Sequence, residues 1–313
     1  MAGGWAFGLL ALALLVGLPL SRLFATAFSE GWAAVWQTLA TGGNGQAVFN
    51  TVWTSLAATG LAVVAGTLAA FVTERSGAPG RGWLRVLMLA PLVSAPLVSA
   101  LGWARAYGPA GLTDRLVGVS WSGLYGPVGI VVVIAVGTAP IAYLVVATGL
   151  ASRAEPDLDR AARASGATSR QALLTVTLPL SRPAIGAGAA LVFVAAVNAF
   201  EVPAVLGIPA GFPTMTTRLY QNLALSADPR SFVAAVILAA TLVVISLTVV
   251  GPTDALTDSG RTRRTGGGAG GGGTSGRRSW GLAATLAAFF AVTTVAPIVA
   301  LVLVALTRAV GLA

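Results

Sequence analysis

The chain has 313 residues, of which 56% are hydrophobic and only 9% charged, whereas an ordinary soluble domain carries about 25% charged residues. With a mean hydropathy of +0.85 and a net charge of +9, it reads as a polytopic, all-α membrane protein rather than a nucleic-acid binder, and its arginines fall in loops where lipid and topology account for them. All 19 basic residues are arginine, and the absence of Lys, His and Cys excludes a Walker-type phosphate loop, an imidazole base, a thiolate, a disulfide and the usual zinc ligand sets.

Hydropathy over a window of about 19 residues predicts seven spans, near 5 to 28, 49 to 72, 84 to 103, 126 to 149, 184 to 206, 231 to 250 and 280 to 307. Each reaches the roughly 20 residues that cross about 30 Å of hydrocarbon. The first ends at Ala25-Thr26-Ala27, which looks like a processing site. Its opening MAGG carries no positive charge and its apolar run is too long for a signal peptide, so it is expected to stay as a membrane helix. Pro91, Pro96 and Pro140 are expected to kink spans three and four. Gly60, Gly66 and Gly129 permit close helix packing, and Trp103, Trp121 and Tyr125 suit an interfacial belt.

Arginine placement predicts the orientation, because cytoplasmic loops carry the excess. Arg75, Arg81 and Arg85 follow span two; Arg153, Arg160, Arg163, Arg170 and Arg182 follow span four; Arg261, Arg263, Arg264, Arg277 and Arg278 follow span six. The opposite side receives only Arg22, Arg105, Arg115, Arg218, Arg230 and Arg308. The N-terminus is therefore expected in the cytoplasm, in a bacterial inner membrane.

The cytoplasmic stretch between spans four and five is the most charged in the chain. Glu155-Pro156-Asp157-Leu158-Asp159 opens like a helix, with Pro in the first turn and carboxylates at the positive end of the dipole. Gly166 is placed to close it. Leu158, Ala161, Ala162 and Ser165 share one face, away from Arg160 and Arg163. Thr168-Ser169-Arg170-Gln171 is a capping-box pattern that starts a second helix, and Leu178-Pro179 with Pro183 is expected to break it before span five. On physical grounds two readings stand: a small-residue face that docks in a groove of another protein, or a helix pair resting on lipid.

Span five holds Asn198 and Glu201, with Pro203 beside them. An ionisable residue in a membrane is costly and usually faces a cavity or partner, and Pro203 loosens the helix next to it. Glu201 either lines a permeation path or makes a structural hydrogen bond near the outer interface. Residues 260 to 278, GRTRRTGGGAGGGGTSGRR, cannot bury a core and read as a flexible linker. Beyond it the run from Trp280 repeats features of the run from Trp5, with Pro297 and Pro19 at similar distances. A duplication, of which this chain holds one half and the opening helix of the next, competes with an unrelated seventh span.

The stretch 159–183 resembles the EAA loop of the inner-membrane permeases of ABC importers: Glu-Ala-Ala, three residues, Gly, nine residues, then a branched residue, any residue, Leu-Pro. Here the pattern falls on Arg160-Ala161-Ala162, on Gly166 and on Val176-Thr177-Leu178-Pro179, with both spacings kept. The family's Glu is replaced by Arg160, and Asp159 would project about 100° away on a helix, so it does not substitute. The resemblance implies a coupling helix, within 155–183, seated on a dimer of ATP-hydrolysing subunits. It further implies a six-helix permease half of MetI-like type I importer architecture, plus one further helix. The expected divisions are 1–48 for an N-terminal helix, 49–250 for the permease core, 251–279 for the linker and 280–313 for the start of a second half. ATP and Mg belong to the partner subunit, with no cofactor, metal site or catalysis in this chain. The other implied partners are a second permease half and an extracytoplasmic solute-binding protein.

Glu201 to Leu219, EVPAVLGIPAGFPTMTTRL, resembles the corresponding segment of ferric-iron permeases, with thiamine, sulfate and polyamine permeases related. That resemblance implies Asn198, Glu201 and Pro203 along the translocation pathway and ferric iron as the solute. Two readings of other classes remain: an ion-coupled secondary transporter using Glu201, and a membrane anchor docking a cytoplasmic partner.

Overall fold

The computed structural model describes residues 13–28, 31–75, 81–153, 164–258 and 278–309. Secondary structure among the described residues is helical throughout. Five helices are long and apolar enough to cross a membrane: Asn44–Glu74, Pro127–Leu150, Leu178–Val197, Arg230–Gly251 and Ala283–Leu306. A sixth crossing is reached if the bent pair Gly82–Val93 and Pro96–Val117 is counted as one span. The first expected span is described only from Ala13, as the shorter apolar helix Leu14–Ala27.

The chain divides into two compact units, 1–52 with 213–247 and 53–212 with 248–313. In the first, α1 (residues 13–27) and α2 (Gly31–Ala40) bury Ala27 and Val35 in a cluster with Ile237 and Ala240 of α10 (Pro229–Asp258). The start of α3 (Asn44–Arg75) holds α9 (Met215–Ala224) by side-chain bonds. Asn50 Nδ2 donates to the Pro213 carbonyl at 2.8 Å, and the Met215 N–H donates to Thr51 Oγ1 at 2.8 Å. Thr214 and Thr217 form a capping box that starts α9.

The second unit is built around α7 (Pro127–Arg153), whose Ile130, Val133, Ile134 and Val146 are buried. Its neighbours are α4 (Arg81–Val93), α5 (Pro96–Tyr107), which is followed by the short α6 (Leu112–Val117), α8 (residues 169–197), the later part of α3 and α11 (residues 278–309). Small residues set the spacing. A β-carbon on Gly66 would lie 2.7 Å from both Ala139 O and Tyr143 N, so α3 and α7 touch backbone to backbone. Gly102 does the same for α5 and α11, where a β-carbon would meet Pro297 O at 2.9 Å. Gly60 has nothing within 4 Å and does not serve the packing role expected of it.

Three further expectations are corrected. Span three is not one helix: α4 ends at Val93, α5 begins at Pro96, and the chain turns by 102° between them. Proline forces the residue before it out of the helical region, and Ala95 accordingly sits at φ −59°, ψ 138°. Conversely, Pro179 and Pro183 do not break the helix that leads into span five. α8 runs from Ser169 to Val197, with one wide π-turn at Leu173–Thr177. The same device, a π-turn ending two residues before a proline, recurs at Ala13–Gly17 before Pro19, Pro203–Gly207 before Pro209 and Ala291–Val295 before Pro297. A proline cannot donate and crowds the carbonyl four residues back, and a widened turn relieves that contact without ending the helix. Finally, Trp103 is not in an interfacial belt: it is buried in the core, its ring centroid 6.4 Å from that of Trp121.

Candidate functional site

The proposed coupling segment is described from Ala164 onward; Arg160, Ala161 and Ala162 lie outside the described residues. Gly166 is exposed at φ +89°, a left-handed conformation that glycine adopts at little cost and that commonly follows a helix end. The capping box is formed. Thr168 N–H donates to Gln171 Oε1 at 2.8 Å, and Gln171 N–H donates back to Thr168 Oγ1 at 3.3 Å. Each partner supplies one of the donors that a helix start leaves open. Val176 lies in the π-turn, and Leu178 and Pro179 begin the α-helical part of α8, both half-buried. The segment is therefore a glycine turn followed by a capped helix that continues without interruption into a membrane span.

At the other end of that span, α8 stops at Val197, about nine residues before the end expected for span five near residue 206. Asn198 is the exposed C-terminal residue, and its Nδ2 donates to the Val194 carbonyl at 2.8 Å. The chain then re-enters a short helical turn at Glu201, which passes through the π-turn Pro203–Gly207 to Ala210. Glu201 is half-buried and its Oε2 accepts from Phe200 N–H at 3.4 Å. Pro203 is buried in the first turn, where its missing N–H would have had no partner anyway. Asn198, Glu201 and Pro203 thus belong to a helix break, not to the interior of a continuous helix. The break is anchored where Gly126 N–H donates to the Leu206 carbonyl at 2.9 Å.

The second unit also holds a cavity of about 20 Å³, lined by residues that include Ser99, Trp103, Thr293 and Thr294, room for about one water. The Thr294 hydroxyl is buried without a partner. Ser99 Oγ is bonded to Ser94 Oγ across the break between α4 and α5. Sequence reasoning passed over this patch because lone threonines and serines in apolar runs carry no pattern. Among the described residues no group of three or more His, Cys, Asp or Glu side chains is placed to hold a metal ion. Arg85 Nη2 pairs with the Glu74 carboxylate at 2.8 Å, tying α4 to the end of α3.

Comparison with known proteins gives concordant results. The family described as "Binding-protein-dependent transport system inner membrane component" matches residues 62–253. The molybdenum transport system permease protein ModB of Mycobacterium tuberculosis is 30% identical over 243 residues, covering 77% of this chain and 90% of that protein. The sulfate transport system permease protein CysW of Escherichia coli is 30% identical over 208 residues, 65% of this chain and 71% of that protein. In fold, the chain is similar to a bacterial ABC transporter involved in the import of the acidic polysaccharide alginate. The TM-score is 0.64 at 17% identity, over 83% of this chain and 96% of that one.

Proposed function

The chain belongs to the family of binding-protein-dependent transport system inner membrane components, and from that premise we propose that it carries a tetrahedral oxyanion of the molybdate or sulfate class. It is a multi-pass permease subunit of an ABC importer, a transport component and not an enzyme. The oxyanion reading replaces the ferric iron expected from residues 201–219. Its support is the 30% identity to ModB across 90% of that protein, together with a similar identity to CysW.

In this reading the N-terminus is cytoplasmic and the coupling segment 155–183 docks on a dimer of ATPase subunits, which supply ATP and Mg. Arg160, Ala161, Ala162, Gly166, Val176, Leu178 and Pro179 make or position the contact. A second permease half completes the pathway, with Asn198, Glu201 and Pro203 at its outer part, and a solute-binding protein delivers the cargo. A solved neighbour, similar in fold at a TM-score of 0.60, is an alginate transporter in complex with a substrate-bound periplasmic protein. The suggestion that the chain is one half of a fused pair rests on the glycine-rich run 260–278 and on the proline-associated π-turn that α1 and α11 share. The turn also occurs in α8, so it supports local likeness more than duplication.

The test is uptake by the assembled transporter in proteoliposomes, with [99Mo]molybdate, [35S]sulfate and ferric citrate offered separately. ATP-dependent uptake of an oxyanion, unaffected by a protonophore, is the expected result. Uptake driven by a proton gradient without ATP would favour the secondary-transport reading instead.

A further inference from the structure

The short helix α2 has two unlike faces and no charge on either. Between Glu30 and Glu74 the chain holds no charged residue. The inner side of α2, Val35 with Leu39, packs in one buried cluster with Ala27 of α1 and with Ile237 and Ala240 of α10. Its outer side presents Trp32, Ala33, Trp36, Gln37 and Ala40. Trp32 and Trp36 are 66% and 68% exposed and, at i and i+4, lie one above the other on the helix surface. A helix whose outer side met water would carry charged and polar residues there. Here Gln37 is the one amide among apolar and aromatic side chains.

The packing also sets the level of α2 in the bilayer. Val233, Val236, Ile237 and Ala240 belong to its cluster and lie within Arg230–Gly251, the membrane-crossing stretch of α10. Ile237 is about 10 Å along that helix from Arg230, at roughly 1.5 Å per residue. At its other end α2 is tied to α3, where Asn44 Nδ2 donates to the Thr38 carbonyl at 3.0 Å. Gly42 and Gly43, both at positive φ, turn the chain between the two helices, and the crossing stretch of α3 begins at Asn44. The outer face of α2 also continues that of α1. Leu15, Leu18 and Phe28 are exposed, and the rings of Phe28 and Trp32 lie with centroids 4.7 Å apart.

We infer that α2 lies in the plane of the membrane at the boundary between headgroups and acyl chains, with Trp32 and Trp36 as anchors that hold the corner between α1 and α3 at that level. The partner of this face is a lipid surface, in the outer leaflet if the orientation proposed above holds. An indole joins an apolar ring to a single N–H donor, which suits the zone where hydrocarbon gives way to headgroups. With no cationic side chain on the helix, the anchoring draws on buried apolar area and not on attraction to anionic lipid.

The test uses the full-length chain, which has no native cysteine, with Ala33→Cys or Gln37→Cys carrying a nitroxide beside the two tryptophans. In vesicles of phosphatidylethanolamine and phosphatidylglycerol, power saturation measures collisions of the label with oxygen and with a water-soluble nickel chelate. Oxygen is expected to exceed the chelate severalfold at both positions, placing the labels about 5 to 10 Å into the headgroup and acyl boundary. Replacing both rings, Trp32→Ser with Trp36→Ser, is expected to raise chelate collisions at position 37 severalfold. A nitroxide on Leu15→Cys in the same variant is expected to stay in hydrocarbon, which shows that the chain is still inserted. Free access of the chelate with both tryptophans in place puts the face in water and overturns the inference. Exclusion of both reagents overturns it as well, since a protein surface would then cover the face. So does a double variant whose label keeps its depth.

Discussion

The hydroxyl of Tyr107, at the end of α5, donates to the main-chain carbonyl of Val292, inside the π-turn of α11. The two residues are 185 positions apart in sequence, and the bond joins the helix after the glycine-rich run to the broken third span. A π-turn leaves a carbonyl without its usual partner, and a bilayer offers no water to take its place. Tyr107→Phe is therefore expected to lower stability by about 0.6 kcal/mol, the average for such interhelical bonds. Thermal unfolding of the detergent-solubilised chain checks this, with limited proteolysis after residue 278 as a local readout.

Gly66 and Gly60 lie on the same helix, and opposite outcomes are predicted for the same substitution. Gly66→Ala drives a β-carbon into Ala139 O and Tyr143 N, at 2.7 Å each, and should cost about 1 to 3 kcal/mol as α3 and α7 separate. Gly60→Ala meets nothing within 4 Å and should be neutral or stabilising by up to about 1 kcal/mol, since alanine is the better helix former. The two melting temperatures, measured in one detergent, decide it.

The Thr168–Gln171 capping box is exposed, so breaking it should loosen the coupling turn without disturbing the core. Thr168→Ala is expected to cost about 1 kcal/mol of local helix stability. Faster proteolysis around residues 164–168, together with weaker stimulation of the partner ATPase by loaded binding protein, is the expected pair of results. A change in global unfolding instead would show that the cap supports the fold and not the turn.

For Glu201, neutralisation separates two roles of an acid at a helix break. Glu201→Gln is expected to slow uptake while leaving it ATP-driven and insensitive to a protonophore. Were the side chain a proton-coupling site, the same variant would abolish gradient-driven uptake altogether. Initial rates in proteoliposomes, with and without an imposed proton gradient, distinguish the two.

The apolar runs reveal the spans because a bilayer demands long stretches without charge, and Thr168 with Gln171 reveals a helix start because capping is local chemistry. The kink expected at Pro96 proves to be a full break at Ser94–Ala95; the surrounding run stays apolar, and hydropathy is blind to direction. Pro179 and Pro183 misled in the opposite sense, since the π-turn at Leu173–Thr177 absorbs the first of them. Trp103 looked like a membrane anchor at a span end, and only its long-range packing with Trp121 buries it. Arg218 was legible only as one more loop arginine; that its guanidinium lies beside Gly43 depends on two distant segments meeting, which no local pattern encodes.

The central claim is that the segment 155–183 couples this permease to an ATPase. The chain has no native cysteine, and Ala164 is exposed, so Ala164→Cys gives a single reporter for crosslinking to cysteines placed in the groove of the partner ATPase. In the assembled transporter, a crosslink to the ATPase whose yield changes on ATP binding is predicted. No crosslink from Ala164 or from positions 158 to 166 in turn, in a protein shown to be inserted and folded, would contradict the account and leave the segment as a helix pair resting on lipid.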